Sequence, residues 1–146
     1  MVKKSSEENA TTKRISGSVD TNVLLRYVLH DVPGQSRDID AMIAGGASFV
    51  VEDAALLEMM YVLEKVFEME RDVVCDNMYA VIRNGAFVSS VGFFEKVLAL
   101  YVAEQKLSII DCALLEYARA SRALPLKTFD KDIIKRSKGD ASAPGV

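Results

Sequence analysis

Residues 15–29 read ISGSVDTNVLLRYVL and join two different patterns within one short stretch. The residues before Asp20 predict a brief strand over 15–19. The residues after it place apolar side chains at helical spacing, which predicts a helix over 21–29. Asp20 therefore stands between a strand and a helix, where a carboxylate is exposed at the end of the strand.

The same alternation of strand and helix continues along the chain. Further short strands are predicted over 48–51, 86–88 and 125–128, and helices over 35–43, 54–67, 73–82, 92–104, 110–120 and 130–136. Parallel strands need crossover connections, which helices usually provide. The pattern therefore predicts an α/β fold of three layers, α/β/α, with a short parallel sheet flanked by helices. The binding crevice of such a sheet lies beyond the carboxyl ends of its strands, where Asp20 and Asp130 are expected.

The composition fits one domain. The chain has 146 residues, half of them apolar, and a formal net charge of −3, so it can bury a core and has no global attraction to nucleic acid. We expect residues 1–13 to be a disordered leader, 14–136 to form the domain, and 137–146 to be a flexible tail or a weak edge strand. No segment resembles a signal peptide or a membrane span, which favours a cytoplasmic protein. The spacing of Cys75 and Cys112 favours reduced thiols.

Four carboxylates occupy unusual positions: Asp20, Glu58, Asp111 and Asp130. Glu58 is the only charged residue in 54–63, and Asp111 is the only one within 107–115. Each has an ordinary explanation as well. Glu58 can lie at the rim of an apolar helix face, Asp111 can interact with a helix dipole, and the other two can be helix N-caps.

Taken together, the four carboxylates could converge on one crevice. Clustered carboxylates repel one another unless a cation neutralises them. Oxygen ligands favour hard ions, so the set predicts a site for Mg²⁺ or Mn²⁺. A zinc site is not expected, because the chain has one histidine and two unpaired cysteines.

Four motifs in order carry a resemblance to a known family. They are VDTNVLL at 19–25, LE at 57–58 followed by VL at 62–63, Asp111 with Ala118, and TFDKD at 128–132. Over about residues 15–136 the chain resembles the PIN-domain family, particularly the VapC-type toxins of bacterial toxin–antitoxin pairs.

The resemblance implies a PIN-like α/β/α fold and a metal-dependent endoribonuclease that uses one or two Mg²⁺ or Mn²⁺ ions. The family's acidic positions, which are catalytic and hold the metal, fall on Asp20, Glu58, Asp111 and Asp130. Its supporting polar positions fall on Asn22 and Thr128, which orient carboxylates by hydrogen bonds. The resemblance also implies a homodimer and a cognate antitoxin protein whose tail blocks the site. The chain departs from the family at 137–146, which lacks a clear final strand.

Basic residues near the predicted site are candidates for contacts with RNA phosphates. Lys127 and Lys131 lie on either side of Thr128 and Asp130, and Arg26 lies about one helical turn after Asn22. A solvated surface with ordinary charges is the alternative explanation for each of them.

Three other functions compete with a toxin nuclease. Phosphoryl transfer through an aspartyl phosphate at Asp20 is disfavoured, because no second acidic residue follows closely: Thr21, Asn22 and Val23 come next. A catalytically inactive PIN-like module that binds RNA or protein is a second alternative, although all four acidic positions are filled. A PIN nuclease in housekeeping RNA processing is the third. The sequence leaves the RNA target open.

Overall fold

Short strands alternate with helices throughout the computed structural model, which describes residues 14–146. The leader predicted for 1–13 lies outside the described residues. The strands are β1 (Gly17–Ser18), β2 (Phe49–Val50), β3 (Phe87–Val88), β4 (Leu126–Lys127) and β5 (Ala141–Ser142). The helices are α1 (Thr21–Leu29), α2 (Pro33–Ala44), α3 (Asp53–Lys65), α4 (Arg71–Ile82), α5 (Val91–Ala103), α6 (Ile109–Ala120) and α7 (Lys131–Arg136).

The first three strands form a parallel sheet in the order β1-β2-β3. Gly17 is in register with Phe49, and Phe49 with Phe87. Two helices connect each pair of successive strands, as parallel pairing requires. The predicted α/β architecture, a short parallel sheet flanked by helices, is confirmed.

The last two strands pair with each other, so β4 lies in a separate two-stranded parallel sheet. The segment after α7 turns back on itself because Ser137 accepts a hydrogen bond at its Oγ from the Ala141 N–H at 3.0 Å. This turn brings Ala141 alongside Leu126. For residues 137–146 the sequence allowed either a flexible tail or a weak edge strand. The structure has a short strand there, β5.

The helices bury a continuous apolar core. Its largest fully buried side chains include Leu24 of α1, Leu56 and Met59 of α3, and Phe94 of α5. Helix α1 packs against α2, α3 and α4, and α3 also contacts α6. This packing sets the end of β1, from which α1 departs, beside the first half of α3. No helix within residues 14–146 combines the length and the apolar character that crossing a membrane requires.

Arg71 fixes the segment that leads into α6. Its guanidinium donates hydrogen bonds to the carbonyl oxygens of Tyr101 at 2.7 Å and Leu107 at 2.8 Å. The same group lies 4.2 Å from the centre of the Tyr101 ring and 3.7 Å from the carboxylate of Glu64. One side chain therefore holds α3, α4, α5 and the start of α6 in place.

Candidate active site

Asp20 lies at the carboxyl end of β1 and caps α1. Its Oδ1 accepts a hydrogen bond from the Val23 N–H at 3.0 Å, which is an ordinary N-cap contact. Its Oδ2 has no hydrogen-bond partner within residues 14–146. The side chain is exposed, so this carboxylate caps a helix and still presents one oxygen to solvent.

Glu58 is held beside Asp20 by the residue that follows Asp20 in the chain. Thr21 Oγ1 lies 2.9 Å from Glu58 Oε2 and 3.2 Å from the Ala55 carbonyl oxygen, in position to donate to either. Thr21 is buried and Glu58 is exposed. Asp20 and Glu58 both line one cavity of about 360 Å³. The structure therefore brings two of the four predicted carboxylates to the same place.

Asp111 forms a capping box with Ser108 at the start of α6. Asp111 Oδ2 accepts from the Ser108 N–H at 2.9 Å, and Ser108 Oγ accepts from the Asp111 N–H at 3.1 Å. Asp111 thus lies at a helix N-terminus, where the sequence allowed a dipole interaction, and it makes a capping box there as well. Asp111 does not line the cavity shared by Asp20 and Glu58.

Asp130 caps α7 and also lies outside that cavity. Its Oδ1 accepts from the backbone N–H groups of Asp132 and Ile133 at 2.9 and 3.0 Å. Thr128 Oγ1 accepts from the Asp130 N–H at 3.0 Å. No group of three or more His, Cys, Asp or Glu side chains in residues 14–146 is arranged to hold a metal ion. The four-carboxylate metal site therefore stays a prediction.

Glu52 is a third carboxylate that lines the cavity, and the sequence reasoning missed it. It follows β2 just as Asp20 follows β1. Its position after a predicted strand could therefore have identified it. Asp53 comes next and accepts a 2.6 Å hydrogen bond from the Tyr117 hydroxyl. Burial, together with this hydrogen bond and the charge of Asp53, raises the pKa of Tyr117 to about 12. The contact ties the start of α3 to α6.

The predicted RNA-binding residues differ in their surroundings. Arg26 Nη1 lies 2.7 Å from both carboxylate oxygens of Asp31. Lys127 Nζ donates to Ser142 Oγ at 3.0 Å and to the Val146 carbonyl oxygen at 2.6 Å. Lys131 is exposed at the first position of α7, and Asn22 is exposed on the rim of the cavity. Arg26 and Lys127 would have to release existing partners to contact a phosphate.

The carboxylates of this cavity have the donor chemistry that Mg²⁺ and Mn²⁺ prefer. Mg²⁺ is usually bound in proteins through one or two carboxylates and completes its coordination with water and substrate phosphate. Asp20 and Glu58 supply two exposed carboxylates at one cavity, and Asp20 Oδ2 is free of intramolecular partners in the described part of the chain. The donors are all oxygen atoms, as such hard ions require.

Comparison with known proteins identifies the family. The sequence pattern of the PIN domain matches residues 18–139, a span that includes all four predicted acidic positions. No curated protein and no solved structure matches the chain. PIN domains are generally metal-dependent nucleases that use Mg²⁺ or Mn²⁺ and act on RNA or DNA. Because the match spans most of the sequence, the chain belongs to the PIN-domain family.

Proposed function

We propose that this PIN domain is an endoribonuclease that hydrolyses RNA phosphodiester bonds at the cavity of Asp20 and Glu58. One observation carries this function. A carboxylate at the end of β1 and a carboxylate on α3 line the same cavity, and the buried hydroxyl of Thr21, the residue after Asp20, lies within hydrogen-bond distance of Glu58. Two carboxylates from different elements that line one cavity beyond a strand end suit metal-assisted hydrolysis.

In this reaction the carboxylates of the chain would hold and orient metal ions. They would not attack the phosphate themselves. One or two bound Mg²⁺ or Mn²⁺ ions would supply a water of lowered pKa and stabilise charge on the phosphate oxygens. Asp20 would hold such an ion with its unpartnered oxygen, since its Oδ1 accepts from the α1 N-terminus. Thr21 orients Glu58, and the family resemblance assigns Asn22, on the rim of the cavity, a supporting role. The family resemblance implies that Asp111 and Asp130 would be further ligands, with Thr128 supporting Asp130.

The electrostatics of the cavity make cleavage dependent on a cation. The chain has a net charge of −3, and Asp20, Glu52 and Glu58 all line the cavity. An RNA phosphate would be repelled there unless bound cations reversed the local charge. Lys131 has no hydrogen-bond or ion-pair partner within residues 14–146, unlike Arg26 and Lys127, the other proposed phosphate contacts.

The toxin of a toxin–antitoxin pair is the biological role that we assign to this nuclease. One support is the VapC-like order of motifs. The other is a set of exposed apolar side chains on α3 and α6, two helices that pack against each other. Tyr61 is 55% exposed, Ile110 51% and Leu114 48%. Such side chains suit a protein partner, either a second copy in a homodimer or a cognate antitoxin. A cytoplasmic location belongs to the same proposal, since Cys75 and Cys112 are free thiols.

The test is cleavage of a mixed RNA pool by purified protein in Mg²⁺, in Mn²⁺ and in EDTA. Wild type is compared with Asp20→Asn, Glu58→Gln and the control Asp76→Asn, which removes an exposed carboxylate from α4 that does not line the cavity. We expect cleavage with either metal, none in EDTA, a loss of at least a hundredfold in both site variants, and full activity in the control. Intact RNA from folded wild type under all conditions would instead support a non-catalytic binding module.

A further inference from the structure

A second cleft adjoins the proposed active site between α1 and α2. It has a volume of about 340 Å³. Asp20 and Asn22 line both this cleft and the cavity of Glu58, so the two spaces adjoin at those residues. A nucleotide next to a phosphate bound at Asp20 would therefore have its base within reach of the second cleft.

The walls of the cleft combine apolar and amide groups in the way that suits a flat heterocycle. Val23 and the buried Ile39 contribute apolar surface. Asn22, Gln35 and Asp38 are exposed and polar, and none of the three makes a side-chain hydrogen bond or ion pair within residues 14–146. Bases in single-stranded RNA are recognised by contact with their faces and by hydrogen bonds to their edges.

The charges of the cleft disfavour a phosphate. Arg26 lines it, but its guanidinium lies 2.7 Å from both carboxylate oxygens of Asp31 and is thereby neutralised. Asp38 contributes a negative charge without a cationic partner in the described part of the chain. A neutral group with hydrogen-bond donors is the complementary occupant.

Asp38 offers the cleft two acceptor oxygens, a pattern that would suit some bases better than others. An ionised carboxylate accepts hydrogen bonds and donates none. Guanine presents two neighbouring donors, its N1–H and its N2 amino group, which match the two carboxylate oxygens. Adenine, cytosine and uracil each place an acceptor beside the donor on the same edge, and this acceptor would face the carboxylate.

We propose that the cleft between α1 and α2 binds the base next to the cleaved phosphate and that Asp38 selects guanine there. The inference rests on the proposed ribonuclease function, because it assumes an RNA phosphate at Asp20. Gln35 has an amide that can bond the remaining acceptor atoms of the base, and Val23 and Ile39 contact its face. The chain would then read one nucleotide of its target.

Two measurements test the subsite separately from catalysis. The first is NMR titration of wild type with the four nucleoside 5′-monophosphates, which contain no bond for the nuclease to cut and carry the same phosphate charge. We expect shifts of backbone amides in α1 and α2, with GMP bound about tenfold more tightly than UMP, the difference expected for a two-bond contact to a base edge. The second is the sequence profile of cleavage sites in a random RNA pool, with guanine enriched beside the cut.

The variant Asp38→Asn is expected to abolish both preferences, since the amide replaces one acceptor by a donor. Asp40→Asn is the control: it makes the same change of charge on the same helix at a residue that does not line the cleft, and its amide oxygen keeps an acceptor for His30 Nε2, which lies 3.2 Å from Asp40. Gln35→Ala leaves the charge unchanged and is expected to weaken GMP binding. A GMP preference that persists in Asp38→Asn, or equal binding of all four nucleotides by wild type, would overturn the inference.

The two proposals fail in different ways. Selective GMP binding at α1 and α2 without cleavage of any RNA would refute the nuclease and leave the base site standing. Metal-dependent cleavage with a profile identical in wild type and Asp38→Asn would establish the nuclease and refute the base site.

Discussion

Thr21 Oγ1 lies 2.9 Å from Glu58 Oε2, and this contact joins residues that are 37 positions apart in the chain. Thr21 is 6% exposed, so the hydroxyl acts from inside the protein on a carboxylate at its surface. The hydrogen bond restricts the directions that the Glu58 side chain can take. It also couples the position of Glu58 to the first turn of α1, which Asp20 caps.

Replacing Thr21 by Val should therefore impair catalysis more than folding. Val keeps the shape of the side chain and removes the donor, so we expect a stability loss of about 1 kcal/mol and a fall in kcat of about tenfold. Urea unfolding and RNA cleavage rates measure the two effects. Thr21→Ser keeps the hydroxyl and should restore most of the activity. Full activity in Thr21→Val would mean that Glu58 does not need this support.

Binding of Mg²⁺ should stabilise the folded protein measurably. A ligand that binds only the native state at about a hundred times its Kd adds about 2.7 kcal/mol to the free energy of unfolding. We expect saturating Mg²⁺ to raise the Tm of wild type and to leave the Tm of Asp20→Asn and of Glu58→Gln unchanged. Glu52→Gln should need a higher Mg²⁺ concentration for the same shift, because Glu52 lines the cavity. An equal rise in Tm in Asp20→Asn would place the metal elsewhere.

The elements of the fold were predictable because they depend on local patterns. The helix predicted over 21–29 has the observed bounds of α1, and the predicted strand over 48–51 contains β2. The pairing of β4 with β5 was not predictable, since two-residue strands carry no pattern that selects a partner. The strand at Ala141 depends on a turn around Ser137 that only the folded chain reveals.

The site was predictable in part, because some of its residues stand out in the local sequence pattern. Asp20 stands out because it follows a strand, and Glu58 because it interrupts an apolar helix face. Their approach depends on the packing of α1 against α3, which no sequence spacing encodes. Asp111 lies at the start of a helix, as predicted, but its capping box with Ser108 was not predicted. Glu52 was missed because an acidic residue before a helix is common.

The contact between Tyr117 and Asp53 predicts a change of stability at alkaline pH. The pKa of Tyr117 is raised to about 12 in the folded protein, and an unfolded tyrosine titrates near pH 10. Because the pKa is higher in the folded protein, the stabilisation that Tyr117 contributes is complete below about pH 10 and is lost as the pH rises toward about 12. Tyr117→Phe should therefore be less stable than wild type at pH 8, and the difference should shrink between pH 10 and 12.

Urea unfolding of wild type and Tyr117→Phe at pH 8, 10 and 11 measures this difference. Comparing the two proteins is necessary because burial also raises the pKa of the Cys75 thiol to about 11 and that of Cys112 to about 12. Tyr61→Phe is the control, since Tyr61 is 55% exposed and its hydroxyl has no hydrogen bond within residues 14–146. A constant difference between wild type and Tyr117→Phe at all three pH values would contradict the prediction.

Arg71 is expected to support both the stability of the fold and the start of α6. Lysine cannot reproduce its fork of donors to the carbonyl oxygens of Tyr101 and Leu107. Arg71→Lys should lower the free energy of unfolding by about 2 kcal/mol, because half-buried carbonyl oxygens lose a charged donor.

The same substitution tests whether Asp111 takes part in cleavage. The carbonyl of Leu107 lies just before the Ser108 cap of α6, so loss of its donor should loosen the turn that carries Asp111. If Asp111 is a ligand, Arg71→Lys should raise the Mg²⁺ concentration needed for half-maximal cleavage at temperatures where the variant is still folded. Arg83→Lys is the matched control: Arg83 also lies over a tyrosine ring and beside a glutamate, but it is 59% exposed and makes no such carbonyl contacts in the described part of the chain. An unchanged Mg²⁺ dependence in a destabilised Arg71→Lys protein would restrict Asp111 to its capping role.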